Sequence, residues 1–464
     1  MNRRIAPLLL IGACACAPHA RLAVAPEVLS SEWRTGPTAP EGLPVSSRSL
    51  GEAFGSAELE ALTIRALAAN ADVAIARTRV EQARAQLRIA RASMLPLVSA
   101  SAGLNANRTD NTGGSVFDFS DAFAGLDVSF DTDLFGARRA ERRAAGQRLR
   151  ASEFDRDASA LVVEAEVART FVQHAALADR LAFLDENIAG ARELERIVRV
   201  RLREGAATKV DTGLQAIEVR QLEAERLRLI EAQARTRNAL AILVGEEAPR
   251  FAPAAARLGS LAVPALSPVQ PGELLVRRPD IRAAEARISA ASGDVASARA
   301  AFLPNLRLTA STLGQAATVS GPFGATISAG ASLLAPIFQG GRLRGQLSAA
   351  SAVQAETVEQ YRRSLLVALG EAEDALAAVQ GSRSRQVLLD RVVEEARITL
   401  RLRRLQYVEG EADLRDALDA QRLLVQAEDA RAVSLQEQLN AAVDLYRAMG
   451  GSAATSGFSA SLQR

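Results

Sequence analysis

Side chains able to do acid–base, nucleophilic or metal chemistry are scarce in this chain. Its only histidines are His19 and His174, its only lysine is Lys209, and its only cysteines are Cys14 and Cys16. The two histidines are too far apart in sequence for a zinc-protease helix, which needs a pair on one helical face. Lys209 follows Thr208 where a phosphate-binding loop would carry glycine. Both cysteines lie in the first segment, so the body has neither a disulfide framework nor a thiolate metal site. The expectation is a protein that catalyses nothing and holds no cofactor and no metal. What remains is a set of carboxylates, Asp211, Asp413, Asp416 and Asp419, with Arg415 among them, beside the chain breaks Glu204-Gly205 and Glu409-Gly410. Their chemistry is electrostatic: gathered around a pore they attract cations, and on isolated helix ends they serve as caps.

The elements that would position these groups follow from composition and pattern. Basic and acidic residues number 56 and 54, and loss of a leader carrying Arg3 and Arg4 brings the charge to zero. A neutral chain is a poor nucleic-acid binder. Residues 1–13 read as an export signal, with Asn2-Arg3-Arg4 as the charged region, Ile5 to Ile11 as the apolar run and Gly12-Ala13 as small residues. Ile11-Gly12-Ala13-Cys14 resembles the lipobox of bacterial lipoproteins, in which Cys14 becomes the acylated first residue. Ala15 after it, in place of Asp, implies outer-membrane sorting in that class. An ordinary cleaved leader is the alternative. No uncharged stretch is long enough to span a bilayer as a helix.

Comparison of the sequence with itself indicates a duplication. Arg91 to Pro96 recurs as Arg299 to Pro304, Leu134-Phe135-Gly136 loosely as Ile337 to Gly340, and Glu204-Gly205 as Glu409-Gly410, at offsets of 208, 203 and 205 residues. Each copy contains two stretches that alternate apolar and polar side chains. Ala124, Leu126, Val128, Phe130 and Leu134 oppose Asp127, Ser129, Asp131 and Asp133, and the same period of two runs through the others. Strands are expected at about 97–108, 123–134, 305–316 and 326–338. Their length and small residues suit a membrane barrel, although soluble hairpins with one buried face share the pattern. Four strands cannot close a barrel, so several chains must share one.

Between strands and breaks lie very long helices. Ala137 to Arg203 contains no proline, and Leu161, Ala165, Ala168, Val172 and Ala175 keep coiled-coil spacing. Gly341 to Val408 is its counterpart, and Asp416 to Met449 returns with Leu435, Leu439, Ala442, Tyr446 and Met449 in the same spacing. Trp33, the single tryptophan, is expected to pin the amino-terminal stretch to this helical body.

At this point the residues resemble the TolC-like outer membrane factor family, in its NodT-like lipoprotein branch that serves RND-type efflux. Arg277-Arg278-Pro279-Asp280-Ile281-Arg282-Ala283-Ala284-Glu285 carries the resemblance most strongly. It is joined by Ala300 to Pro304, Pro336 to Leu343, Leu418 to Arg422 and Asp133 to Gly136. The resemblance implies a mixed fold: a homotrimer with a 12-stranded outer-membrane β-barrel, four strands per chain, continuous with a long periplasmic α-helical barrel. It also implies a passive exit duct for drugs or other small toxic solutes. Its implied partners are a periplasmic adaptor (membrane fusion) protein, an inner-membrane RND-type transporter and outer-membrane lipid. Asp211 and Asp419 occupy the positions that line the family's closed entrance, with Asp416 and Asp413 nearby. Arg415 stands where related lipoproteins often carry a constricting Leu, and Leu202 stands where Tyr407 stands in the other copy. The corresponding division is 1–13 signal, 14–49 extended segment, 50–270 first repeat, 271–450 second repeat and 451–464 tail. Type I protein secretion, metal efflux, or a lipid-anchored coiled-coil scaffold remain the other readings.

Overall fold

The computed structural model describes residues 32–35, 43–44, 49–110, 116–264, 266–316 and 322–451. Cys14, Cys16, His19, the signal segment and nearly all of the carboxy-terminal tail lie outside the described residues. After strand β1 (Leu43–Pro44) and helices α1 (Leu50–Phe54) and α2 (Ala57–Ala69) come α3 (Ala71–Ala92), strands β2 (Leu97–Asp110) and β3 (Val116–Thr132), α4 (Ala137–Arg203) and α5 (Lys209–Leu243). A linker with strand β4 (Leu266–Ser267) and helix α6 (Leu274–Arg277) leads to α7 (Pro279–Ala300), β5 (Asn305–Ala316), β6 (Phe323–Leu334), α8 (Arg342–Glu409) and α9 (Leu414–Ala448). The order helix, two strands, very long helix, shorter helix thus occurs twice along the chain.

The helix bounds follow local chemistry. α4 has 67 residues, about 100 Å of helix at 1.5 Å per residue, and α8 has 68. Gly136 and Gly341 start them at φ +78° and +88°, a region that suits glycine, so the chain can turn sharply out of the strand. Strand ends follow non-local pairing instead: β2 runs two residues past its expected end, and β3 and β6 differ at both ends. β3 begins at Val116 because β2 continues to Asp110 opposite it, and it stops at Thr132, where the Leu134 N–H turns back to the Thr132 carbonyl. Leu134 therefore sits in the turn, off the strand face. β6 runs Phe323–Leu334 and stops short of Pro336, which has no N–H for a ladder.

The four longer strands form one antiparallel sheet in the order β2-β3-β5-β6. β2 and β6 are its edges, with no further strand on either among the described residues.

The helical body packs in layers. At its middle, Leu161, Ala165, Ala168, Val172 and Ala175 of α4 meet Leu50, Phe54, Leu59 and Leu62 of α1 and α2, and Leu439, Ala442, Tyr446 and Met449 of α9. Further along, α4 and α5 share Leu184, Ile188, Leu222 and Leu229, while α8 and α9 share Val393, Leu400 and Leu424. Alanine and glycine permit close approach: a Cβ on Gly293 of α7 would stand 2.9 Å from the Ala144 Cβ of α4.

One cation ties this body together. Arg278, only 7% exposed, donates from Nη2 to Asp280 at 2.7 Å and Glu371 of α8 at 2.8 Å, and from Nη1 to the Ala448 carbonyl of α9 at 3.2 Å. The same turn of α8 holds the amino-terminal segment, whose Arg34 N–H donates to Glu373 at 2.7 Å. Trp33 Nε1 donates to the Val269 carbonyl of the linker at 2.8 Å and packs on the central core, so it pins the segment as its sequence position led us to expect. Breaking a buried charge network by removing one partner costs roughly 3–5 kcal/mol. Arg278→Ala should lower the melting temperature in detergent, followed by circular dichroism, and Arg278→Lys, which keeps charge and loses the fork, should fall between.

Candidate channel entrance and membrane sheet

At the far end of the helical body the two hairpins turn. The first turn has Gly205 at φ +77°, and the second has Gly410 at φ +85°, where the Gly410 N–H closes the last turn of α8 onto Gln406 and Tyr407 carbonyls. The two tips share one small core: Leu194 and Val198 of α4, Tyr407 of α8, and Leu414, Ala417 and Leu418 of α9.

Across this core Arg201 of α4 reaches α8. Its guanidinium carbon stands 4.7 Å from the centre of the Tyr407 ring, and its Nη1 donates to the Tyr407 carbonyl and, at 3.4 Å, to that of Val408. The carbonyls at a helix end carry partial negative charge, so a cation belongs there. Burial pushes the Tyr407 hydroxyl above its ordinary range, Asp211 adds to that, and Arg201 opposes it.

The carboxylates singled out by sequence divide among several partners. Asp211 forms a capping box at the start of α5: its Oδ2 accepts from the Thr208 N–H at 2.7 Å and Thr208 Oγ1 at 2.8 Å, and its own N–H donates to Thr208 Oγ1 at 3.2 Å. Asp413 is the N-cap residue of α9 with no side-chain cap bond. Asp416 stands 4.0 Å from Arg403, and Asp419, strongly exposed, lies 3.7 Å from Arg422. Arg415 is exposed and makes no ion pair among the described residues. Within one chain no hydrogen bond or ion pair joins Asp211 to Asp419. Arg422 also bridges the hairpins, donating to the buried Glu218 of α5 at 2.8 Å. Arg201 was not legible as a tip residue, because its partner carbonyl is 206 residues away. The Asp211 cap was, through the Thr208-x-x-Asp211 spacing. His174 is buried, and burial together with Arg237 holds its imidazole below the ordinary range.

The sheet at the other end has two unlike faces. Val98, Val128, Ala310 and Ala329 lie in one cross-strand row, and Ala100, Leu126, Thr312 and Ile327 in the next on that face. Leu104, Ile327 and Leu333 are exposed there. The opposite face carries Ser99, Asp127, Ser311 and Ser328 in register, with Ser311 and Ser328 hydroxyls 2.7 Å apart. Where this face meets the helices, Asp131 accepts from Arg307 at 2.6 and 3.1 Å and from Arg138. Among the described residues no helix is long and apolar enough to cross a membrane, and no three His, Cys, Asp or Glu side chains cluster as a metal site.

The sequence pattern of the outer membrane efflux protein family matches residues 62–246 and 271–451. The chain belongs to this family. It is the TolC-like outer-membrane channel component of a tripartite efflux system. It is 35% identical over 453 residues to the pyoverdine export outer membrane protein OpmQ of Pseudomonas putida, covering 95% of this chain and 94% of that one. A membrane protein from Pseudomonas aeruginosa superposes with a TM-score of 0.84 at 31% identity, covering 91% and 97% of the two chains. The open-state MtrE outer membrane channel of Neisseria gonorrhoeae gives 0.79 at 27% identity, covering 91% and 97%.

Arg201 supplies the tip with a cation–π contact and carbonyl bonds, each of order 1 kcal/mol. Arg201→Ala should therefore speed backbone amide exchange across residues 403–412 about tenfold, measured by hydrogen–deuterium exchange mass spectrometry, and leave α1 to α3 unchanged.

Proposed function

We propose that three copies of the chain close a 12-stranded outer-membrane barrel continuous with a helical tunnel. The duct passes small organic solutes delivered by an RND-type inner-membrane transporter through a periplasmic adaptor. The observation that carries this reading is the sheet itself: four strands, apolar on one face and polar on the other, with both edges open. Hydrocarbon leaves no water for edge N–H and C=O groups, so β6 of one copy must find β2 of the next. The recurring element order and the family pattern's match to both halves support two internal repeats. The likeness to relatives named for pyoverdine export and for solvent and toluene efflux supports small organic cargo.

In this reading Cys14 is acylated and holds the amino terminus to outer-membrane lipid, each buried methylene adding roughly 0.8 kcal/mol. Asp211 and Asp419 face the entrance as threefold carboxylate rings, with Asp413 and Asp416 beside them. Arg415, which makes no ion pair among the described residues of its own chain, is the counter-charge for acidic side chains of the neighbouring copy. Exposed pairs contribute roughly 0–1 kcal/mol each, so the closed entrance rests on several at once.

Two measurements test this. Native mass spectrometry of the detergent-extracted protein should find three copies, each beginning at Cys14 and carrying acyl mass; a conducting monomer or dimer would overturn the architecture, and an unmodified terminus the anchor. In planar bilayers Asp211→Ala and Asp419→Ala should reduce cation preference, and Arg415→Ala should raise the open fraction. Unchanged conductance and selectivity in all three would leave them as solvated helix ends.

A further inference from the structure

Among the described residues three glutamates are almost fully buried in the helical body, and two of them meet an arginine. Glu218 takes Arg422, and Glu428 takes Arg397 at 3.0 Å and the Asn187 amide at 2.8 Å. The third, Glu164 of α4, is 1% exposed and meets no cation among the described residues. Its Oε1 accepts from the Tyr446 hydroxyl of α9 at 3.1 Å, the Leu50 backbone N–H at the start of α1 also bonds its carboxyl, and Oε2 has no hydrogen-bond partner. Thr63 Oγ1 of α2 is a second buried oxygen without one in this core.

Among the described residues the neighbouring charges add nothing to neutralise it. From α2 comes a like charge, Glu60, which also accepts from Ser49 Oγ. On α4 and α9, Arg169 is bound to Asp444 and Glu166, and Arg447 to Glu371 at 3.4 Å. Glu52 of α1 is exposed. An ionised carboxylate in such a place is costly, whereas a protonated one is nearly neutral in energy and can donate.

We propose that Glu164 is a proton-operated latch, which fixes α1 and α2 against α4 and α9 when protonated and loosens them when ionised. The latch lies within one chain and is independent of copy number. Burial pushes the carboxyl up from an ordinary 4.5 to about 7, with Glu60 adding to the rise and the Tyr446 and Leu50 bonds opposing it. Because the docked form holds the proton more tightly, its stabilisation is complete below about pH 4.5 and fades as the pH rises to about 7. Between pH 8 and pH 5.5 this linkage strengthens docking by about thirtyfold.

Hydrogen–deuterium exchange of the full chain in detergent, corrected for intrinsic amide rates, tests it. Amides of residues 50–66 should be about thirtyfold better protected at pH 5.5 than at pH 8, while the tips show no such dependence. Glu164→Gln should keep the acid level of protection at both values. Glu60→Gln should move the midpoint to lower pH, and Tyr446→Phe to higher pH, which keeps the test informative if Glu164→Gln fails to fold. Equal protection of the native chain at both values, a pH dependence that survives Glu164→Gln, or midpoints unmoved by the other two variants would overturn the latch.

Discussion

Backbone amides and carbonyls have no water to turn to in hydrocarbon, and this constraint organises the molecule more than any side chain does. One chain supplies 14-, 17-, 12- and 12-residue strands that pair in register with their inner neighbours and whose outer rows meet no further strand among the described residues. A single chain cannot close that sheet, because tilt and diameter set a lower limit of about eight strands. The helices below inherit the consequence. Each β-hairpin ends in a glycine turn that launches a helix of 67 or 68 residues, so the sheet and the long helices are set relative to each other through the same joints. Arg138 and Arg307, converging on Asp131 at that joint, hold strand and helix in one orientation.

Walls built from helices this long must pack without a globular core. Alanine at seam positions such as Ala165, Ala168, Ala175 and Ala442 helps achieve it, because backbones can approach closely and little side-chain entropy is lost on ordering. The single broad core at the level of α1, α2 and Tyr446 is then the one place where larger residues can be buried from several directions. The amino-terminal segment, the linker between halves and the carboxy-terminal end of α9 all converge there, through Trp33, Arg278 and Glu373. Gly451, at φ +75°, ends the described chain against Leu161 and Tyr446 of that core, leaving no room for a side chain.

Local signals fixed what local energetics decides. The proline-free run from Ala137 to Arg203 set both ends of α4, and the alternation around Leu308 and Ala310 set β5, because propensity and glycine breaks suffice there. The ends of β3 and β6 depend on partners elsewhere in the chain, so alternation alone placed β3 seven residues short at one end and two long at the other. The entrance divides in the same way. Thr208 and Asp211 are three residues apart and readable as a cap, while Arg201 and the Tyr407 carbonyl come together only once both hairpins are packed. Asp419 and Arg422 share one turn, yet the more buried partner of Arg422 is Glu218, on another hairpin. A count of acidic residues near a break finds the neighbourhood and misses the bonds.

In the proposed channel, the distribution of strong and weak contacts favours the tips as the place where opening begins. α9 packs along α8 and also along α4, whereas α5 rests on α4 and touches α9 only sparsely. Between the central core and the tip core lie two separate apolar layers, one in each hairpin. Rearranging the tip core of Leu194, Val198, Tyr407, Leu414, Ala417 and Leu418 therefore leaves those layers in place. The polar contacts there are also the ones that water can replace, since Asp416 and Asp419 face arginines across exposed gaps of 4.0 and 3.7 Å. Such pairs are worth little individually. Above them, Glu218 and Glu428 are buried against arginines, and separating either would leave a carboxylate stranded in the wall. Flexing stops where that cost begins.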